Sequence, residues 1–175
     1  MKQEKQHLVI PFSGLKNGAH QFSFDIDAKF FEQFEKSIIQ EAKVHIDIDF
    51  LKKENMLLLD FSINGVVLGE CDRCTENVDI PISGEEHLIV RFGEESFEET
   101  DEIKVIAYGE HELELDKEVY DYVHLLLPNK MIHFDEKNCN QEVINKLKKL
   151  SINHIDKEGT DPRWSVLLNL KDKNK

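Results

Sequence analysis

A chain of 175 residues and 20.4 kDa has room for one domain, or for one with an appended segment. Hydrophobic residues make up 40% and charged residues 33%, enough apolar material for a core, and their periodicity excludes disorder along the whole length. With 22 Lys and Arg against 35 Asp and Glu, the formal charge of −13 excludes a generic polyanion binder, whose surface is positive over much of its area.

Residues 7–12 alternate weakly and predict a first edge strand ending at Pro11-Phe12. Asp27 is placed to cap a short helix from Ala28 to Lys36, with Phe30, Phe31 and Phe34 on one core-facing side. The strongest strand pattern follows: Val44, Ile46, Ile48 and Phe50 alternate with His45, Asp47 and Asp49, as in a half-buried antiparallel strand. Lys52-Lys53-Glu54-Asn55 reads as a polar turn, after which Leu57, Leu59, Phe61 and Ile63 alternate again. Asn64-Gly65 between apolar runs predicts a type I′ hairpin turn, with the next strand from Val66 to Glu70. Residues 78–92 predict a further strand, with Ile80, Ile82, Leu88, Val90 and Phe92 on one face.

Charge then changes character. Residues 85–118 hold thirteen acidic side chains against Arg91, Lys104 and Lys117, and 93–102 read as a solvated, mobile loop or an acidic partner-binding surface. Asp116 opens a predicted helix with Val119, Tyr122, Val123, Leu126 and Leu127 on one stripe, ended by Pro128. Another helix is expected from Gln141 to Leu150, with Val143, Ile144, Leu147 and Leu150 inward. Residues 137–175 reverse the sign, with nine Lys or Arg against five Asp or Glu. The chain is thus an acidic body with a mildly basic tail.

Cys71-Asp72-Arg73-Cys74 is the clearest local motif and falls in a turn between strands. A CxxC turn folds two sulfurs to one side, where they can hold one zinc ion; His133 and Cys139 could complete the set, with His154 as a spare. The competing reading is a bare turn with Cys139 packed elsewhere. A redox role fits poorly, because Thr75-Glu76-Asn77-Val78 does not begin the helix that lowers a reactive thiol's pKa. Three cysteines, an odd number, with no apolar signal-peptide core in Met1 to His7, predict a reducing cytoplasm. No apolar run exceeds a few residues, as in Met56-Leu57-Leu58-Leu59, so no membrane-spanning helix is expected.

Asp161-Pro162-Arg163-Trp164 reads as a helix start, Asp161 capping and Pro162 in the first turn, with Trp164 packing and Arg163 able to hold a phosphate or carboxylate. No Gly-rich phosphate loop, HExxH or GxSxG is present, His45, His87 and His111 fall at solvated strand positions, and no acid/base pair stands out. The chain reads as a non-enzyme without a small-molecule substrate.

Together these pieces resemble the YceD family, the large-subunit ribosomal RNA accumulation proteins. The resemblance rests on Gly69-Glu70-Cys71-Asp72-Arg73-Cys74, the amphipathic helix from Asp116 to Leu127 closed by Pro128, the following His133 and Cys139, and Asp161-Pro162-Arg163-Trp164 with Leu167 and Leu170. It covers about 60 to 171. Some members carry a further cysteine cluster before the Asp-Pro-Arg motif; this chain has Cys139 alone there, so a zinc site must recruit His133 or another ligand. The resemblance implies a role in synthesis, processing or stability of 23S ribosomal RNA with no established catalytic activity.

The expected architecture is α+β: an antiparallel, curled or barrel-like β-meander with two or three packed helices, one domain over 1–175, strand-rich to about 115 and helical from about 116. The expected function is a non-enzymatic factor for large-subunit assembly. Contact with 23S RNA or its precursor would fall to Arg73, Lys146, Lys148, Lys149, Arg163 and Trp164, because a −13 chain needs a local basic face to meet phosphates. Contact could instead run through a basic ribosomal protein held on the acidic body. The alternative is a zinc-stabilised protein-interaction module unrelated to RNA, with Cys71, Cys74, His133 and Cys139 as ligands.

Overall fold

The computed structural model describes residues 6–35, 37–93, 100 and 102–151. In chain order the elements are β1 (Val9–Ile10), β2 (Gly18–Asp27), α1 (Ala28–Glu32), β3 (Glu41–Lys52), β4 (Met56–Glu70), β5 (Asn77–Phe92), β6 (Ile103–Ile106), β7 (Leu113–Glu114), α2 (Asp116–Leu125), a 3-10 turn at Glu136–Asn138 and α3 (Gln141–Leu150). The chain divides into two units, 1–140 and 141–175, and α3 belongs to the second.

The first unit is α+β, built on an open, partly curled sheet in the order β2-β3-β4-β5-β6. Side chains alternate across a strand, so the apolar set of β3 (Val44, Ile46, Ile48, Phe50) and that of β4 (Leu57, Leu59, Phe61, Ile63) are all buried on one face. β5 adds Val78, Ile80, Ile82, Leu88 and Val90. The first four strands form the expected antiparallel meander. β6 departs from it and runs parallel to β5, with Ile103 beside Ile89 and Ile106 beside Phe92. A parallel neighbour requires the chain to return along the sheet before pairing, and no periodicity in a four-residue strand announces that. β2 is absent from the expectations above, although Phe22, Phe24 and Ile26 alternate with Ser23 and Asp25 across its ten residues. The expected first strand shrinks to β1, which pairs with β7 in a sheet of its own.

Asn64-Gly65 is not a turn. β4 runs through it without a break, Asn64 beside His45 and Ser83, and Gly65 beside Val44 and Ile82. Glycine is needed there for another reason: a Cβ would lie 2.4 Å from the Lys43 carbonyl oxygen and 2.6 Å from the Val44 Cα. Those are backbone atoms of β3 that cannot swing aside, so the residue permits close approach of two strands. Gly65→Ala is expected to destabilise the chain by about 1–3 kcal/mol, read as a lower urea midpoint. An unchanged midpoint would show that β3 gives way freely. The hairpin tip thereby moves six residues along the chain, to Cys71.

α1 and α2 cover the apolar face. Asp27 caps α1 by accepting a hydrogen bond from Lys29 N at 2.8 Å, as expected, but α1 stops at Glu32 rather than Lys36. Phe30 and Phe31 are buried, and Phe34 stacks on Tyr120 at 4.1 Å. In α2, Val119, Tyr122 and Val123 face the core, with Tyr122 edge-on to Phe61 at 5.3 Å. Asp116 is the first residue of α2 and Leu115 its cap; the Asp116 carboxylate accepts from Leu8 N at 2.7 Å and lies 2.6 Å from His7 Nδ1, tying β1 to the helix start. α3 spans the expected residues, but of its stripe only Ile144 is buried, while Leu147 and Leu150 are exposed. No helix among the described residues is long and apolar enough to cross a membrane. The acidic stretch 94–99 and Asp101 lie outside the described residues.

The solvent face of the sheet pairs histidines with acids across strands. His45 Nδ1 lies 2.7 Å from Asp25 Oδ1 and its Nε2 3.3 Å from Asp47 Oδ1, and His87 Nδ1 lies 2.6 Å from Asp60 Oδ1. The hydrogen bond to Asp25 is the main influence raising the His45 pKa above 6.5; desolvation opposes it, and the Asp47 and Asp25 charges add to the rise. A raised folded-state pKa favours folding below the unfolded value of 6.5, and that contribution fades as pH rises through the higher folded midpoint. An NMR titration of the His45 ring is therefore expected to show a midpoint above 6.5 that falls in Asp25→Asn. Identical midpoints in the two proteins would remove the hydrogen bond as the cause.

Candidate metal centre

The tip of the β4–β5 hairpin is the Cys71–Glu76 segment. Thr75 N donates to Cys71 O at 2.8 Å and Cys71 N to Glu76 O at 2.8 Å, which wraps the chain so that both sulfurs sit on the inner side. Thr75 holds a left-handed φ of 60°, a conformation a β-branched residue adopts only at a cost of about 1–3 kcal/mol. The reversal after Cys74 depends on it, and the strain is stored at the site rather than in the sheet.

A second segment closes over this tip. Asp72 N donates to Met131 O at 2.7 Å and Met131 N to Asp72 Oδ2 at 2.8 Å, a reciprocal pair that fixes the start of the 131–140 loop. Asn140 Nδ2 donates to Glu76 Oε1 at 2.8 Å at its other end. Between these straps, Asp135 caps the 3-10 turn through Lys137 N at 3.0 Å, and that turn delivers Cys139 inward. Gly69 lets Met131 settle on β4, since a Cβ there would meet its sulfur at 2.7 Å.

The result brings Cys71, Cys74, His133 and Cys139 together, with their ligand atoms all within 4.8 Å of one another. His133 Nδ1 is 3.7 Å from Cys74 Sγ and 3.6 Å from Cys139 Sγ. The three cysteines are buried, and all are free thiols. The bare-turn alternative, with Cys139 packed elsewhere, is not what the chain adopts.

The chemistry of this donor set fits a single metal ion. Zn–S bonds of about 2.3 Å and Zn–N bonds of about 2.0 Å place tetrahedral ligand atoms about 3.5–3.8 Å apart. The two His–Cys separations already match, and the widest pair needs to close by about 1 Å. Electrostatics agree. Burial pushes the Cys71 thiol up, but the backbone N–H groups of Arg73, His133 and Cys74, with the His133 side chain, outweigh it and bring the pKa down to about 6. Cys139 is pushed up to about 11 by burial and by the adjoining Cys74 and Cys71 sulfurs. One thiolate is ready for a cation, and crowded sulfurs that repel a second negative charge are what a cation would relieve.

Of the other candidate residues, Arg73 sits on the knuckle itself, half-buried, between the two ligands. Lys146, Lys148 and Lys149 are exposed on α3 in the second unit. Arg163, Trp164, the Asp161-Pro162 helix start and His154 lie outside the described residues. The straps Asp72–Met131 and Glu76–Asn140 join segments about sixty residues apart, and the acid between Cys71 and Cys74 is the one local sign of the first.

A hairpin-tip CxxC closed by a His and a Cys from a later loop defines an α+β protein with a Cys3His centre that could hold a metal ion. A family model described as large ribosomal RNA subunit accumulation protein YceD matches residues 59–171, which include all four donors. The chain belongs to the YceD family of large ribosomal RNA subunit accumulation proteins. Neither a curated protein nor a solved structure matches it.

Proposed function

We propose that this chain is a non-enzymatic factor supporting 23S ribosomal RNA synthesis, processing or stability during assembly of the large subunit, working in the cytoplasm as one YceD-like domain over 1–175. The observation that carries the reading is the overlap of the family match with the four-donor centre. We take the ion to be zinc, because three thiolates and an imidazole suit it and a four-coordinate set leaves no open position for substrate or water. Such an ion supplies cross-linking rather than Lewis-acid chemistry. The four side chains hold the hairpin tip and the 131–140 loop in one arrangement, and Arg73 rides on that rigid unit. Lys146, Lys148, Lys149, Arg163 and Trp164 are the further contacts we assign to RNA.

A second reading has its own support. The solvent face of the sheet presents Asp25, Asp47, Asp49, Asp60, Asp79 and Glu85 with few cations, a surface suited to a basic ribosomal protein. In-cell UV crosslinking, with sequencing of attached RNA and mass spectrometry of co-purified proteins, separates the two. Crosslinks on 23S precursor support direct contact, which Glu substitutions at Lys146, Lys148 and Lys149 should then weaken. A basic large-subunit protein without crosslinked RNA makes the acidic face the working surface. Recovery of neither would sink both.

A further inference from the structure

The side chains on the outer side of the metal centre form a group that the ligands do not explain. Phe134, next to the ligand His133, is fully exposed to solvent. Its position is nonetheless fixed, because His133 is held in the cluster and Asp135 is engaged as the cap of the following turn. The three residues after it, Asp135, Glu136 and Lys137, are exposed and polar. A large ring kept in water by a rigid loop calls for a flat partner.

Two cations lie on the segments that meet here, with Arg73 adjoining Cys74 and Phe134 adjoining His133 across a 3.7 Å contact. Arg73 follows Asp72, and Lys130 precedes Met131, and those two inner residues are joined by the reciprocal hydrogen bonds at 2.7 and 2.8 Å. Both charges therefore lie one residue from a single backbone junction, and neither has a hydrogen-bond or ion-pair partner among the described residues. Of the acids on these segments, Asp72 accepts from Met131 N, Asp135 from Lys137 N and Glu76 from Asn140. On a chain of formal charge −13, two cations without a side-chain partner among the described residues, on segments that meet at Cys74 and His133 next to the exposed ring, offer phosphates a local contact.

We propose that Phe134, Arg73 and Lys130 form a contact for single-stranded RNA, in which an unpaired base stacks on Phe134 and the adjoining phosphates meet Arg73 and Lys130. The proposal rests on the direct-contact form of the reading above and names the part of the RNA and the side chains that meet it. Aromatic stacking accepts any base, because every base has a π-face, so the contact selects unpaired strand over duplex rather than one sequence.

The test is fluorescence anisotropy of labelled poly-U and poly-A dodecamers titrated with the full chain over a range of salt. Phe134→Ala is expected to weaken binding about tenfold with the salt slope unchanged, and Phe134→Trp to keep it. Arg73→Ala with Lys130→Ala is expected to lower the slope of log K against log salt by about 0.7 for each phosphate contact removed. Because Phe134 is fully exposed, its variants should keep the wild-type melting temperature and metal content, which separates a lost contact from a lost fold. Wild-type binding that Phe134→Ala leaves intact overturns this contact while direct RNA binding stands. No binding of the wild-type chain to either homopolymer also overturns it, and crosslinks to precursor RNA in cells would then keep the broader reading alive. Loss of a basic protein partner in Phe134→Ala, with RNA binding unchanged, overturns it in favour of a protein-docking ring.

Discussion

Chelation of the wild-type chain and the substitution Cys139→Ser are expected to converge on the same state, a folded sheet with a released 131–140 loop. Cys139 is the donor that the later loop brings to the hairpin tip, and without it three donors remain, of which two belong to the tip itself. A metal bound at a thousandfold excess over its Kd contributes about 4 kcal/mol. In a chain of this length that corresponds to a fall in Tm of about 8–16 °C. Elemental analysis should find one zinc per wild-type chain and little in Cys139→Ser. Amide exchange should accelerate in 131–140 and not in β3 or β4, whose cores contain no ligand. An unchanged Tm after chelation, with no stoichiometric metal, would refute the zinc centre.

The pH dependence of the same centre has a definite sign. In the metal-free chain the Cys71 pKa is lowered from 9.0 to about 6, so its ionised form stabilises the fold above pH 9 and that contribution is lost as pH falls towards 6. Cys139 works in the opposite sense. Its pKa is raised to about 11, so the neutral thiol favours the fold below pH 9 and the contribution is lost between 9 and 11. Metal-free stability attributable to the cluster should therefore peak near pH 9. Zinc binding at neutral pH should release protons, with Cys139 among their sources, and calorimetry in buffers of different ionisation enthalpy reads the net number.

Phe61→Ala is expected to have the largest effect of any single change in the sheet. Phe61 is 1% exposed in the middle of β4, paired with Ile48 on one side and Glu86 on the other, and it meets Tyr122 of α2 edge-on. Truncation removes a large buried ring and leaves a cavity between sheet and helix that neither can close, at a cost of about 3–5 kcal/mol. Single domains have about 5–15 kcal/mol in total, so the variant should unfold at markedly lower urea and bind zinc weakly when it does. Phe61→Leu should recover most of the loss. A midpoint near wild type for Phe61→Ala would mean that α2 does not rest on the sheet as described.

Much of this was legible in the chain because it follows from local periodicity. The alternation in β3 and β4, the polar turn at Lys52 to Asn55, the Asp27 cap and the extent of α3 each depend on neighbours within a few residues. So did the placing of Cys71 and Cys74 in a turn between strands. Asn64-Gly65 shows the limit of such reading. The dipeptide has two physical uses, a left-handed turn and room for a neighbouring backbone, and only the position of Lys43 and Val44 chooses between them. That choice mattered for the site, since an unbroken β4 is what carries the cysteines to the tip of a long hairpin.

By itself the sequence determined the α+β class, the amphipathic faces, the acidic body and the CxxC turn with a short roster of candidate partners, because composition and spacing are properties of the chain alone. Tertiary structure decided that Cys139 and His133, about sixty residues after the CxxC, meet it within 4.8 Å. It also decided that β6 lies parallel to β5. Both depend on contacts between segments far apart in sequence, made by straps such as Asp72 to Met131 whose partners no local pattern can pair.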